Sequence, residues 1–70
     1  MEYDAILEDP RLSPISKSKK VAVGYIYEDK KGRWPDGTFI RTSLIEKEIK
    51  EGNDVYIKTM NTVYKVRENA

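Results

Sequence analysis

Between residues 54 and 67 the chain reads DVYIKTMNTVYKVR, and this stretch leaves little freedom. β-Branched and aromatic residues alternate with polar ones at a period of two, the pattern of a half-buried strand. Met60-Asn61 interrupts the run where a tight turn fits, because Asn tolerates a positive φ. Setting Thr59 opposite Thr62 puts Val55, Ile57, Tyr64 and Val66 on one face. Tyr56, Lys58, Val63 and Lys65 then share the other, with Asp54 across from Arg67. A slip of one residue would turn the apolar set toward water, so the register is strongly specified. A chain carrying this hairpin has to bury one side of a sheet, and the expected class is mainly β.

Three more strands are expected upstream. KVAVGYIYE, residues 20–28, is rich in β-branched and aromatic residues. Val21, Val23, Tyr25 and Tyr27 fall on one face, and Ala22, Gly24 and Ile26 on the other. Both faces are mostly apolar, which places this strand inside the sheet, and Gly24 marks a bend or a close backbone approach. TFIRT, residues 38–42, is a short strand with Ile40 on one face and Phe39 and Arg41 on the other. SLIEKEIKEGN, residues 43–53, fits a helix capped by Ser43 and Glu46. It also fits a strand paired with residues 54–59, and the strand is the reading adopted. A three-residue loop, Glu51-Gly52-Asn53, sets Lys50 opposite Asp54, Ile49 opposite Val55 and Ile45 opposite Thr59. It also brings Glu46 to Lys58. A two-residue loop is rejected because it would bury Glu46 and Glu48.

The first nineteen residues differ from the rest. Residues 1–9 hold four acids and no base, and SPISKSKK has the composition of a linker. Residues 1–19 are therefore expected to be a flexible or briefly helical arm, and residues 20–68 the domain. Five strands in a meander cannot leave an apolar face wet, so a small SH3-like open barrel is the expected architecture.

The long connection DKKGRWPDG joins the first two of these strands. Asp29-Lys30-Lys31-Gly32 fits a type I turn, and Trp34-Pro35-Asp36-Gly37 fits a second one. Trp34, the only Trp, stands between them. Large aromatics are usually buried, so the expectation is a lid folded over the core. The outward alternative makes Trp34, Pro35 and Arg33 contacts for a protein partner.

Composition narrows the function. With 70 residues there is one domain and too little chain to wall a large pocket. There is no Cys and no His, which removes disulfides, thiolate metal sites, a Cys nucleophile and the commonest general base. Ser43 has no His to activate it, and no Gly is followed by the Lys-Ser/Thr of a phosphate-cradling loop. A non-enzymatic protein with no cofactor, no metal and no membrane segment is expected, working in a reducing compartment such as the cytoplasm. Thirteen basic residues face twelve acidic ones for a net charge of +1, so any electrostatic footprint has to be local. The first functional expectation is a domain that binds or regulates a protein partner, with a homodimer through an edge strand as a variant. The alternative is weak nucleic-acid binding by Tyr56, Lys58, Lys65 and Arg67 on the hairpin's wet face.

Two segments, WPDGTFIRTSLI and TMNTVYKV, resemble parts of small bacterial and phage or prophage proteins that carry a DGT-x-I-x-TS segment and a later T-x-N-[ST]-x-Y hairpin. The matching residues are Asp36, Gly37, Thr38, Ile40, Thr42 and Ser43, then Thr59, Asn61, Thr62 and Tyr64. The resemblance implies a compact β fold and a mobile-element origin, with a host factor as partner, and it transfers no active site. A plainer reading makes the Thr and Ser residues strand-end hydroxyls that complete turns.

Overall fold

The computed structural model describes residues 1–68. Six strands form a single sheet: β1 (Ala5–Pro14), β2 (Lys20–Tyr27), β3 (Thr38–Arg41), β4 (Ile45–Glu51), β5 (Asp54–Thr59) and β6 (Val63–Arg67). Their order is β3-β2-β1-β6-β5-β4. The chain is mainly β, as its alternation requires, with no helix among the described residues to cross a membrane. The five-stranded meander is corrected. Two antiparallel three-stranded units are joined side by side, because β1 pairs antiparallel with β2 and parallel with β6. The sheet is open, with β3 and β4 at its ends, yet it curls: Lys20 on β2 reaches Glu48 on β4 at 2.7 Å.

The largest departure from expectation is at the N-terminus. Residues 5–14 are not an arm but a strand in the middle of the sheet. Ala5 lies beside Tyr64 and Leu7 beside Val66 on one flank, and Leu7 lies beside Ile26 on the other. Two of the four acids that made this segment look solvated have partners far along the chain. The Asp4 carboxylate accepts the Val63 N–H at 2.9 Å, and Glu8 pairs with Arg67 at 2.9 Å. Only Ala5, Ile6 and Leu7 are buried here, too few to show a period, and the partner strand is nearly sixty residues distant.

Halfway along, β1 bulges between Glu8 and Arg11, with Asp9 at a φ of 49° and Pro10 next to it. A bulge is where a strand admits a proline. Gly24 faces it from β2. A Cβ there would stand 2.9 Å from the Glu8 carbonyl oxygen and 3.2 Å from Leu7 Cγ, so the close approach expected of Gly24 is present. Beyond the bulge, β1 and β2 continue as a hairpin that is exposed over residues 11–19, while Val21 and Ala22 on β2 stay buried; its tip is closed by the Ile15 N–H donating to the Lys19 carbonyl at 2.8 Å.

The core is Ala5, Leu7, Ala22, Ile26, Ile40, Ile57 and Tyr64, with Ile45 and Val66 packed on it. The hairpin register holds: Ile57 faces Tyr64, Lys58 faces Val63, and the Thr59 N–H donates to the Thr62 carbonyl at 2.9 Å. The stretch after Ser43 is a strand, as adopted, and Ile45 does face Thr59. Its loop is the rejected one, however. Glu51 pairs with Asp54 across Gly52-Asn53, and Gly52 has a φ of 63°, as a two-residue hairpin turn of type II′ requires. A bulge between Ile45 and Lys47 absorbs the difference. Glu46 is thereby left outside to meet Lys58 at 2.7 Å, and Glu48, on the end strand, remains exposed and meets Lys20.

Candidate binding surface

The loop after β2 is a latch. Its first turn forms as expected, with the Gly32 N–H donating to the Asp29 carbonyl at 2.9 Å and Gly32 at a φ of 65°. The second turn lies one residue later than expected, closing from Thr38 to the Pro35 carbonyl, and Gly37 at a φ of 85° donates to Ile26 at 2.7 Å. The Asp29 carboxylate, 1% exposed, accepts the backbone N–H groups of Lys31 and Arg33 at 3.2 and 2.8 Å. It also accepts Arg33 Nε and Nη2 at 3.2 and 3.1 Å. Burial alone would raise the Asp29 pKa, but these hydrogen bonds and the Arg33 charge outweigh it and hold the pKa below its ordinary 3.8. Burial opposes the Arg33 cation in the same way, and its interactions with Asp29 and Tyr64 outweigh that and raise its pKa.

From this centre the loop grips two other segments, the β5–β6 turn and the residues before β1. Arg33 Nη1 donates to Thr62 Oγ1 at 3.0 Å, and Lys31 Nζ donates to the Asn61 carbonyl. The Lys30 N–H donates to the Asp4 carbonyl at 2.8 Å, and Lys30 Nζ to the Tyr3 carbonyl at 2.9 Å. Arg33 is therefore engaged in the fold on every nitrogen of its guanidinium. Trp34 is no lid. It is 37% exposed, with Arg33 stacked 4.7 Å from its ring, and Pro35 beside it is exposed. The core cluster closes around Leu7 and Ile26 without Trp34, whose ring packs against the Arg33 cation.

The hairpin face proposed for nucleic acid is brought together by β5 and β6, but it is not free. Tyr56 is 4% exposed, with the Tyr3 ring 6.5 Å away. Lys58 pairs with Glu46 at 2.7 Å, and Lys65 lies 4.0 Å from Asp54. Arg67 pairs with Glu8 and stacks 4.5 Å from the Tyr27 ring, so its partner is not Asp54. A phosphate would have to displace a carboxylate at each base, and no base could stack on Tyr56.

The opposite arrangement occurs on β2 and β3. Tyr25 faces Phe39 across the ladder, their ring centroids 5.1 Å apart and tilted by 59°. They are 44% and 60% exposed, although cross-strand aromatic pairs usually cover something. Val23 is flanked by Arg11 on β1 and Arg41 on β3. Both arginines are exposed, and neither forms an ion pair with a described residue. A shallow groove of about 390 Å³ lies between Asp9, Arg11, Val23, Tyr25 and Phe39. Residues 10–27 and 37–45 contain five bases and no acid, so Asp9 is the one acid lining this groove. Sequence reasoning missed this face. The usable signal was there: Tyr25 and Phe39 each lie on a stated face of a strand. The ten-residue connection between them leaves their register open, and only the register makes them neighbours.

The hydroxyls of the two resembling segments are structural. Thr42 Oγ1 accepts the Ala22 N–H at 3.0 Å and donates to the Ser43 carbonyl at 2.8 Å. Thr59 Oγ1 and the Thr62 backbone close the β5–β6 turn at 3.3 Å. In comparisons with known proteins, no family model matches the chain, and no curated protein or solved structure is significantly similar to it.

Proposed function

We propose that the chain is a non-enzymatic binding domain that engages a protein partner through the outer face of β2 and β3. The observation that carries this reading is the exposed Tyr25–Phe39 pair flanked by Arg11 and Arg41, which form no ion pair with a described residue. Aromatic and Arg side chains dominate the energetics of protein contacts, because rings bring large, rigid contact area at little entropic cost and Arg brings directional, charge-assisted hydrogen bonds. The face is already rigid, since the cross-strand ladder holds Phe39 against Tyr25 before any partner arrives. Its local excess of bases favours an acidic patch on that partner. The resemblance of WPDGTFIRTSLI and TMNTVYKV to phage-type β proteins makes a host factor the class of partner to seek. Trp34 and Pro35 remain a secondary contact, with Arg33 acting from behind as a support.

The test is photo-crosslinking. A benzophenone-bearing phenylalanine at position 39 should capture a defined protein from cell extract. The same group at Lys50, on β4, should not, and Tyr25→Ala should abolish the capture. Equal capture from both positions, or capture of nucleic acid alone, would sink the protein-binding reading at this face.

A further inference from the structure

We propose that β3 is a self-recognition edge, along which a second copy of this chain adds its own β3 in antiparallel register with Ile40 on the two-fold axis. The contact runs along the edge backbone and shares Phe39 and Arg41 with the outer face, but the inference is argued from the strand edge and does not rest on the partner-binding reading above.

The two ends of the sheet are protected very differently. β4 is seven residues long and reads IEKEIKE, with charges of both signs along it. That is how natural sheets discourage pairing at an edge. β3 is four residues long, TFIR, and carries the most exposed aromatic side chain of the molecule, Phe39.

Its backbone is also open. The Thr42 N–H donates to the Ala22 carbonyl, which fixes the parity of the β2–β3 ladder. Ile40 therefore turns its N–H and C=O toward Gly24, and Phe39 and Arg41 turn theirs away from β2. β3 is the last strand on this side, so four main-chain groups face outward. A two-fold antiparallel partner has three registers that use them. Arg41 opposite Arg41 of the second copy sets like charges together. Phe39 opposite Phe39 of the second copy uses only half of the free groups within the strand. Phe39 opposite Arg41 of the second copy, with Ile40 facing Ile40, closes four hydrogen bonds and leaves none of the eight groups over.

The same register sets each Arg41 beside the other copy's Phe39 on the outer face, the arrangement for a cation–π contact. The chain already uses this pairing twice, Arg33 on Trp34 at 4.7 Å and Arg67 on Tyr27 at 4.5 Å. The one arginine of β3 and its one exposed ring have no cation–π partner among the described residues of a single copy, and supply one to each other across the axis.

The experiment uses the full chain. Sedimentation from micromolar to millimolar concentration should show the mass rising from 8.1 kDa toward twice that value. Amide exchange at Phe39 and Arg41 should slow as the dimer forms, while the amides of β4 do not change. Phe39→Asp, at a position exposed enough to fold normally, should weaken association about tenfold or more. Arg41→Pro removes an N–H that a single copy does not use, and should do the same without loss of the β2–β3 ladder. A chain that stays at 8.1 kDa throughout would overturn the proposal. So would a dimer whose Phe39 and Arg41 amides exchange as in the monomer, or one indifferent to both variants.

Discussion

The two halves of the sheet treat similar side chains in opposite ways. On β5 and β6, Lys58, Lys65 and Arg67 each meet a carboxylate, and Tyr56 is buried. Around β2 and β3, Arg11 on β1 and Arg41 on β3 meet no carboxylate of a described residue, and Tyr25 and Phe39 stand open to solvent. Both regions look like aromatic and basic strands in the sequence. The difference lies in what surrounds them. β5 and β6 sit between β1, which brings Glu8, and β4, which brings Glu46. β3 is a sheet edge, the last strand on its side among the described residues. A basic side chain on a strand is a candidate contact only if the neighbouring strands leave it unpaired.

The comparison depends on β1, which holds the two halves together, and the largest effect should come from there. Leu7 is fully buried between β2 and β6, so Leu7→Ala should lower stability by about 3 kcal/mol in urea denaturation. If it cost little, the N-terminal strand would not be the junction described.

Next comes the latch. Asp29→Ala removes the acceptor of four hydrogen bonds and leaves Arg33 without its counter-ion. A loss of about 2 kcal/mol is expected. Amide exchange should rise at residues 29–33 and at the β5–β6 turn, and much less at β2 and β3. The pH dependence sharpens this. The folded Asp29 pKa is below its ordinary 3.8, so its contribution is fully present above that value and is lost as pH falls through the lower folded pKa. Asp29→Asn, which keeps one acceptor oxygen, should flatten the acid limb of the stability–pH curve. An unchanged slope would remove Asp29 from the account.

Smaller effects are expected from the paired bases. Lys58→Ala and Lys65→Ala should each change stability by less than about 1 kcal/mol, since exposed ion pairs contribute little. The smallest should come from the open half. Phe39→Ser should leave stability within about 0.5 kcal/mol of the parent, while removing contact with a partner. If Phe39→Ser proved as costly as Leu7→Ala, the ring would belong to the core and the contrast between the halves would fail.

Several features were legible from residue order alone. Alternation over residues 54–67 set the β5–β6 register and the buried set Ile57 and Tyr64, because a one-residue slip inverts the faces. The turn at Asp29 and the close approach at Gly24 were also readable, since both depend on local backbone sterics. The β4–β5 loop was misread because a bulge moves a register without leaving a period to detect. What only the tertiary structure decided was pairing at a distance. The parallel partnership of β1 with β6 made an acidic leader into the middle strand. The same partnership supplied Glu8 to Arg67. The neighbouring of Tyr25 and Phe39 made an exposed face. Side-chain alternation follows from a single chain's own geometry, but which strand lies beside which depends on contacts that close long loops, and residue order does not encode those locally.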